Sequence, residues 1–256
     1  MEQAAGQCDP SVSLVMNPGG RIFPGAETID AVRSSELDLG WVNFAHLESL
    51  AKDLAAIHAP FTLSDDSMRT TERRRQYLDR INALLDGTDL CISAVMRGAD
   101  QILCSAEKID PSGARFSGLP IRIPGPGVYE DIVKALGAIP VEASIVAASD
   151  LVGSGKARGA ITSPGAWQTL FRYHFPHVYH MKGLMMITYV LVLRRSDVDT
   201  DWAKAANAAF TRCVTEKWDE MRVQDEEILA AIEACNAWTY EAIGPTDHEL
   251  QRLTRG

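Results

Sequence analysis

The sequence has no run of apolar residues long enough to cross a membrane. Its longest apolar stretch, residues 184–193, spans only about ten residues, whereas a membrane-spanning helix needs roughly 20. Basic residues are also scarce: 25 Lys and Arg stand against 34 Asp and Glu, which gives a formal net charge of −9. Nucleic-acid-binding proteins carry a basic face. The composition therefore argues against nucleic-acid binding and against direct insertion into a membrane.

Paired cysteines are absent as well. The five cysteines are widely spaced, and no C-x-x-C pair occurs, so the chain lacks the spacing of a zinc ribbon. An odd number leaves at least one thiol outside any intrachain disulfide. An unpaired thiol is unusual in an oxidising compartment, where disulfides form readily.

Catalytic fingerprints are missing too. There is no G-x-S-x-G nucleophile elbow and no H-E-x-x-H zinc motif. Residues 153–156 hint at a phosphate-binding loop, but Asp150 replaces its first glycine and Ala157 replaces its Ser or Thr. We therefore predict that the chain is not an enzyme and needs no cofactor. An α/β enzyme remains a third hypothesis, without residues to support it.

Three histidines, His174, His177 and His180, recur at a spacing of three and raise the possibility of a metal site. Pro176 interrupts any helix that would align them on one face. In a strand, the same spacing places neighbours on opposite faces. The pattern favours an ordinary strand, and we predict no metal site.

Strand-like and helix-like segments alternate along the chain. Apolar content of 46% is ordinary for a globular protein, and the alternation predicts an α/β protein with mostly parallel sheets. Helices are predicted over residues 45–57 and 65–85. A longer one, over 201–237, keeps an apolar stripe for roughly 50 Å at about 1.5 Å per residue.

Ligands of such sheets bind beyond the carboxyl ends of the strands. Loops 41–44, 123–127 and 162–167 all follow predicted strands, so they are the candidate cleft. Their aromatic and polar residues suit either a pocket wall or ordinary packing and capping. These candidates are Trp41, Asn43, Phe44, Tyr129 and Trp167.

Arg122 is the most informative single residue. It lies between Ile121 and Ile123 in a short predicted strand, which indicates a buried guanidinium. An unpaired buried charge is very costly, and the planar fork of Arg pairs with a carboxylate through two hydrogen bonds. From these residues alone, the partner could belong either to the protein or to a ligand.

The segment around Arg122 carries a family resemblance. Gly118–Gly127 resembles the G-x-K-x-R-x-P segment of the substrate-binding subunits of TRAP (tripartite ATP-independent periplasmic) transporters, the DctP-like family. Four further segments agree with that family in order and spacing: residues 17–33, 36–41, 59–61 and 155–164. The resemblance covers roughly residues 11–235.

The resemblance implies a two-lobed periplasmic binding protein, type II-like, that closes as a Venus flytrap and has a long helix through both lobes. Lobe I would comprise 1–94 and 186–215, and lobe II 95–185 and 216–256. Arg122 would clamp the ligand carboxylate, and Ser163 would be a polar contact. Arg97 is a further candidate for an anion contact. Where family members often place another arginine, this chain has Asp100 or Gln101.

The implied function is capture of a small organic acid by hinge closure. The loaded protein would deliver it to a TRAP membrane permease of two integral subunits, from the periplasm. A ligand-sensing or scaffold protein retained in the cytoplasm is the alternative, favoured by the odd cysteine count and by an N-terminus without the features of an export signal.

The sequence also departs from the family. The chain opens near the family's second strand, so we expect that an export signal and a first strand are missing. The usual closing helix after Leu250 is also expected to be missing. Arg158 stands where the family has an aspartate.

Overall fold

A computed structural model describes residues 13, 15–17, 22–109, 116–235 and 239–242. These form two compact units. The first takes its described residues from Met1–Leu54, Asp65–Arg97 and Thr188–Met221. The second takes them from Ala55–Ser64, Gly98–Ile187 and Arg222–Gly256.

Helices and strands alternate, as an α/β protein requires. In chain order they are α1 (Glu27–Arg33), β1 (Leu39–Asn43), α2 (Leu54–Ile57), α3 (Asp65–Met68), α4 (Thr71–Leu84), β2 (Leu90–Asp100), β3 (Ile102–Ser105), β4 (Pro120–Ile123), α5 (Val128–Ala135), β5 (Ile139–Glu142), α6 (Ala148–Gly153), β6 (Gly159–Thr162), α7 (Pro164–Ala166), β7 (His177–His180), β8 (Met186–Arg194), α8 (Asp201–Ala234) and β9 (Thr239–Ala242). Single turns of 3₁₀ helix occupy Phe44–Leu47 and Arg195–Asp197, and a π-helical turn occupies Trp167–Phe171.

The first unit contains a sheet of three strands in the order β1-β8-β2. Strands β1 and β8 are antiparallel, with Leu39 opposite Leu193 and Asn43 opposite Tyr189. Leu193 packs against Cys91 and the start of α8, which places the apolar side of the helix on this sheet. Strand β2 is an edge strand of the sheet, a position that matters below.

The second unit contains a sheet of six strands in the order β5-β4-β6-β3-β7-β9. Strand β4 is parallel to β5 and to β6, and β7 is parallel to β9, but β3 is antiparallel to both of its neighbours. Three of these five pairings are parallel, so the prediction of mostly parallel sheets holds for this sheet but not for the three-stranded one, where β1 and β8 are antiparallel.

The long predicted helix is confirmed as α8, which gives Asp201–Met221 to the first unit and its remainder to the second. The helix predicted over 65–85 is broken in two, because Thr70 starts a new helix by accepting a hydrogen bond from the Arg73 N–H at 3.2 Å. The helix predicted over 45–57 is also wrong. A 3₁₀ turn and the short α2 take its place. No helix in the described ranges is long and apolar enough to cross a membrane.

Substitution of Gly159 tests the close packing of β6 on β3 in the six-stranded sheet. A Cβ built there would lie 2.6 Å from the Cys104 carbonyl oxygen, which is closer than any ordinary contact. Gly159→Ala should therefore lower the free energy of unfolding by about 1–3 kcal/mol, measured by urea denaturation. Gly153→Ala is the matched control, because nothing lies within 4 Å of a Cβ at that position. Equal stability of the two variants would contradict the close packing of β6 on β3.

Candidate ligand-binding site

One edge of the six-stranded sheet collects most of the candidate residues of the second unit. Strands β4, β5 and β6 run in the same direction, so their carboxyl ends meet there. Strand β3 starts at the same edge, since Ile102 pairs with Thr162 at the end of β6. We call this the carboxyl edge. Residues that leave or enter it include Arg122, Ala143, Ser163 and Gln101.

Arg122 lies on β4 at this edge and is 3% exposed, as the flanking isoleucines predict. Its Nε donates to the Ala143 carbonyl oxygen at 2.9 Å, just beyond β5. Burial raises the pKa of the Cys104 thiol on β3, and the Arg122 charge acts on that pKa in the opposite direction. The guanidinium is therefore held in a fixed orientation inside the sheet edge, within electrostatic reach of β3.

The turn after β4 leads into α5 at the same edge. Gly127 precedes the helix with φ of 71°, a conformation that favours glycine. Tyr129, in the first turn of α5, is fully buried and meets the His58 ring edge-on, with ring centroids 6.4 Å apart. His58 in turn lies 3.3 Å, through Nε2, from the Met186 carbonyl oxygen. Tyr129 is thus placed close to β4, and His58 is a neighbour that the sequence analysis missed.

Gln101 is a second residue that sequence reasoning did not select. It is 1% exposed and sits between β2 and β3, with its N–H donating to the Met185 carbonyl oxygen at 2.9 Å. Neither polar atom of its side-chain amide has a hydrogen-bond partner in the described part of the chain. Buried amides are nearly always hydrogen-bonded. The Gln101 amide at the carboxyl edge therefore indicates a hydrogen-bond partner that the protein itself does not supply.

Ser163 and Trp167 follow β6 and have structural partners. The Ser163 Oγ accepts a hydrogen bond from the Ala166 N–H at 3.1 Å and so caps α7. Trp167 is buried in the core of the second unit, and its Nε1 donates to the Phe175 carbonyl oxygen at 2.8 Å. The sequence left packing and capping open as alternatives to a pocket wall. They are sufficient to explain the positions of the Ser163 and Trp167 side chains.

The remaining candidates belong to the first unit. Trp41 stacks on Tyr189 with centroids 5.9 Å apart and also meets Phe210. Asn43 is mostly buried and caps the following 3₁₀ turn, where its Oδ1 accepts from the Ala45 N–H at 3.0 Å. Phe44 is fully buried. All three side chains have contacts within their own unit.

Arg97 on β2 is 1% exposed and forms a two-point ion pair with Asp65 at the start of α3. The Arg97 Nε lies 2.6 Å from Asp65 Oδ1, and Nη2 lies 3.3 Å from Oδ2. This geometry satisfies the charge of Arg97 within the protein. A structural role is therefore sufficient to explain its burial.

The closely spaced histidines and Arg158 also have the surroundings of structural residues. His177 and His180 lie on β7, and burial lowers the pKa of His180. Within the described ranges, no group of three His, Cys, Asp or Glu side chains is arranged to hold a metal ion. Arg158, which replaces the expected aspartate, forms an exposed ion pair with Glu107.

Comparison with protein-family models gives a match to the bacterial extracellular solute-binding proteins of family 7 over residues 5–146. This range is more than half of the 256-residue chain. Comparison with curated proteins gives no significant match.

Solved structures of the same kind share the fold. An extracytoplasmic solute receptor from Bordetella pertussis that binds pyroglutamic acid superposes with a TM-score of 0.82 at 12% identity, over 99% of this chain and 85% of the receptor. A TRAP solute-binding protein from Roseobacter denitrificans with bound β-D-glucuronate gives 0.82 at 14%, over 98% and 84%. One from Pseudomonas aeruginosa with bound L-malate gives 0.76 at 15%, over 99% and 90%. The α/β, two-lobed binding-protein fold with a long C-terminal helix is thereby confirmed.

The Arg97–Asp65 pair distinguishes the two roles considered for Arg97. If Arg97 is structural, Asp65→Asn leaves a buried charge without its partner and should lower the free energy of unfolding by about 3 kcal/mol or more. Urea denaturation measures the loss. Glu72→Gln is the control, because the exposed pair of Glu72 with Arg75 should leave the urea midpoint unchanged. Unchanged stability of Asp65→Asn together with altered ligand affinity would instead assign Arg97 to the ligand.

Proposed function

This chain belongs to the bacterial extracellular solute-binding proteins of family 7, and we propose that it captures a small organic acid and delivers it to the two integral subunits of a TRAP permease. The family consists of binding proteins rather than enzymes, so the proposal assigns no catalytic step. We place the protein in the periplasm, where the solute would be captured by hinge closure.

The buried guanidinium of Arg122 at the carboxyl edge carries the proposal. It lies at the ends of parallel strands, where α/β sheets bind ligands. The Ala143 carbonyl fixes its orientation before any ligand arrives, so little conformational freedom is lost on binding. A carboxylate is the group that best matches a fixed guanidinium fork in a site of low dielectric.

Gln101 narrows the class of acid. Its amide carries both donors and an acceptor, and neither its nitrogen nor its oxygen has a partner in the described ranges. A ligand that brings a hydroxyl, keto or amide group beside its carboxylate would satisfy Gln101 and Arg122 together. Pyroglutamic acid, β-D-glucuronate and L-malate, the ligands of three solved relatives, have this combination, whereas succinate, the ligand of a fourth, has a second carboxylate instead.

The other candidates enter the proposal as the surroundings of this site. Tyr129 begins α5 beside β4, and Ser163 follows β6 at the same edge. We propose that they border the ligand directly. The roles of Trp41, Asn43, Phe44, Trp167 and Arg97 are proposed to be supportive, since each has partners inside its own unit. A cytoplasmic sensor is the alternative, and it would use the same binding chemistry without a permease.

Substitution of Arg122 tests the proposal. A thermal-shift screen against organic acids first identifies a ligand, since binding to the native state raises the melting temperature. Arg122→Met should then weaken its affinity roughly 100-fold or more, measured by isothermal titration calorimetry, because a charge-assisted pair is lost. Arg122→Lys keeps the charge but loses the two-point fork, and should weaken binding to a smaller extent.

Arg158→Met is the matched control, because this arginine is exposed and pairs with Glu107. It should bind the ligand like the unsubstituted protein. Retention of full affinity by a folded Arg122→Met variant would overturn the proposal. So would the absence of any ligand from a screen that covers hydroxy acids, keto acids and uronates.

Gln101 gives a second test with two opposite effects. Gln101→Met removes a buried amide without partners and should raise the melting temperature of the ligand-free protein. The same substitution should weaken the ligand about tenfold or more, because the ligand then loses its hydrogen bonds to the amide. A gain in stability without loss of affinity would show that Gln101 does not touch the ligand.

A further inference from the structure

A cavity lies entirely within the first unit, away from the residues assigned above. It has a volume of about 220 Å³ and is bordered by α4, β2 and α8. We call it the α4–β2–α8 cavity. Its lining residues are Thr71, Arg74, Arg75, Leu78, Ser93, Ala94, Val95, Asn207, Thr211 and Val214. None of them is a residue proposed for the Arg122 site.

The cavity contains a buried cation. Arg74 is 4% exposed, and no carboxylate in the described ranges forms an ion pair with it. Its Nη1 donates to the carbonyl oxygens of Met68 and Arg69, and Nη2 donates to the hydroxyls of Thr71 and Thr215. These acceptors are neutral. They hold the guanidinium in place without cancelling its charge.

The guanidinium of Arg74 also lies over the Trp218 ring, 4.9 Å from its centroid. Burial lowers the pKa of Arg74, as expected for a cation removed from water. Arginine nevertheless keeps its proton at physiological pH. The cavity wall therefore carries a positive charge in a protein whose formal net charge is −9.

Two buried oxygens in the cavity wall lack partners. Ser93 Oγ on β2 and Asn207 Oδ1 on α8 make no hydrogen bond within the described part of the chain. Buried polar groups of this kind normally have a partner. Both residues line the cavity, Ser93 from β2 and Asn207 from α8, which suits a molecule bound in it. The Ser93 hydroxyl can donate to it, and the Asn207 oxygen can accept from it.

The edge of β2 borders the cavity. Asn82 of α4 covers this edge at Ile92, where its side-chain amide accepts from the N–H and donates to the carbonyl, both at 2.8 Å. Peptide groups alternate sides along a strand, so those of Ala94 face the same way as those of Ile92. Ala94 lines the cavity, so this side of β2 forms part of its wall.

The charge of Arg74 and the Ser93 hydroxyl favour an anion. The four Nη hydrogens of Arg74 are already donated to protein oxygens, so Arg74 acts on an anion through its charge, and the Ser93 hydroxyl can donate a hydrogen bond to it. The rest of the lining is largely apolar. The volume is below the roughly 300 Å³ at which pockets begin to hold drug-sized ligands. We propose that the α4–β2–α8 cavity is a second binding site, which takes a small carboxylate with a compact apolar body and is independent of Arg122.

Benzoate is the probe, with benzyl alcohol as its uncharged counterpart and inorganic phosphate as an anion without an apolar body. Amide shifts of the full chain in ¹H–¹⁵N NMR spectra report where each one binds. Benzoate should shift Ser93, Ala94 and Asn207 with a Kd on the order of 1 mM, as expected for so small a ligand. Benzyl alcohol and phosphate should each bind about tenfold more weakly.

Variants locate the site. Thr211→Leu fills the cavity and should abolish the benzoate shifts, whereas Ala208→Leu, at an exposed position of the same helix, should retain them. Arg74→Met should weaken benzoate because the buried positive charge is lost. If that variant does not fold, Thr211→Leu still decides the question. Arg122→Met should leave the benzoate shifts unchanged, so failure of the Arg122 site and failure of this one are separable.

Three results would overturn the inference. The first is the absence of shifts around Ser93 and Asn207 at about 10 mM benzoate, well above the expected Kd. The second is equal binding of benzyl alcohol, which would show that the cation has no role. The third is unchanged benzoate binding in Thr211→Leu, which would place the probe elsewhere.

Discussion

Removal of a guanidinium from water is the constraint on which much of this structure depends. The charge cannot be discarded at physiological pH, so every buried arginine must be surrounded by oriented acceptors. Arg97, Arg122 and Arg74 are each at most 4% exposed. Each arginine has a different set of surrounding groups. Those groups determine whether the arginine serves the fold or can also bind a ligand.

Arg97 has a carboxylate of its own, because Asp65 approaches it with both oxygens. Its charge is cancelled inside the first unit, and it serves to hold α3 against β2. Among the described residues, Arg74 has only neutral acceptors and an aromatic ring, so its charge is held in place but not cancelled. Arg122 is oriented by a backbone carbonyl at the edge of a sheet. The neutral surroundings of Arg74 suit recognition of an anion.

The carboxyl edge shows how local rules assemble a site from distant parts of the chain. Parallel pairing of β4 with β5 and β6 brings three strand ends to one place, and antiparallel β3 adds its first residues. Segments from residue 101 to residue 163 thereby become neighbours. None of these pairings is encoded in a single motif. Strand β6, for example, is buried on both faces, and Gly159 lies too close to Cys104 for any side chain.

The sequence by itself determined the alternation of helices and strands, the long helix α8 and the burial of Arg122, because periodicity and spacing are local properties of the chain, and its motifs indicated the family. It could not decide whether Arg97 and Asn43 serve a ligand or the fold, since their partners Asp65 and Ala45 are chosen by packing. It did not single out Gln101 or the α4–β2–α8 cavity. Gln101 matters because its buried amide has no partner in the described ranges, and the cavity because three separate elements enclose it. Burial and enclosure depend on the whole fold, so only the tertiary structure decided them.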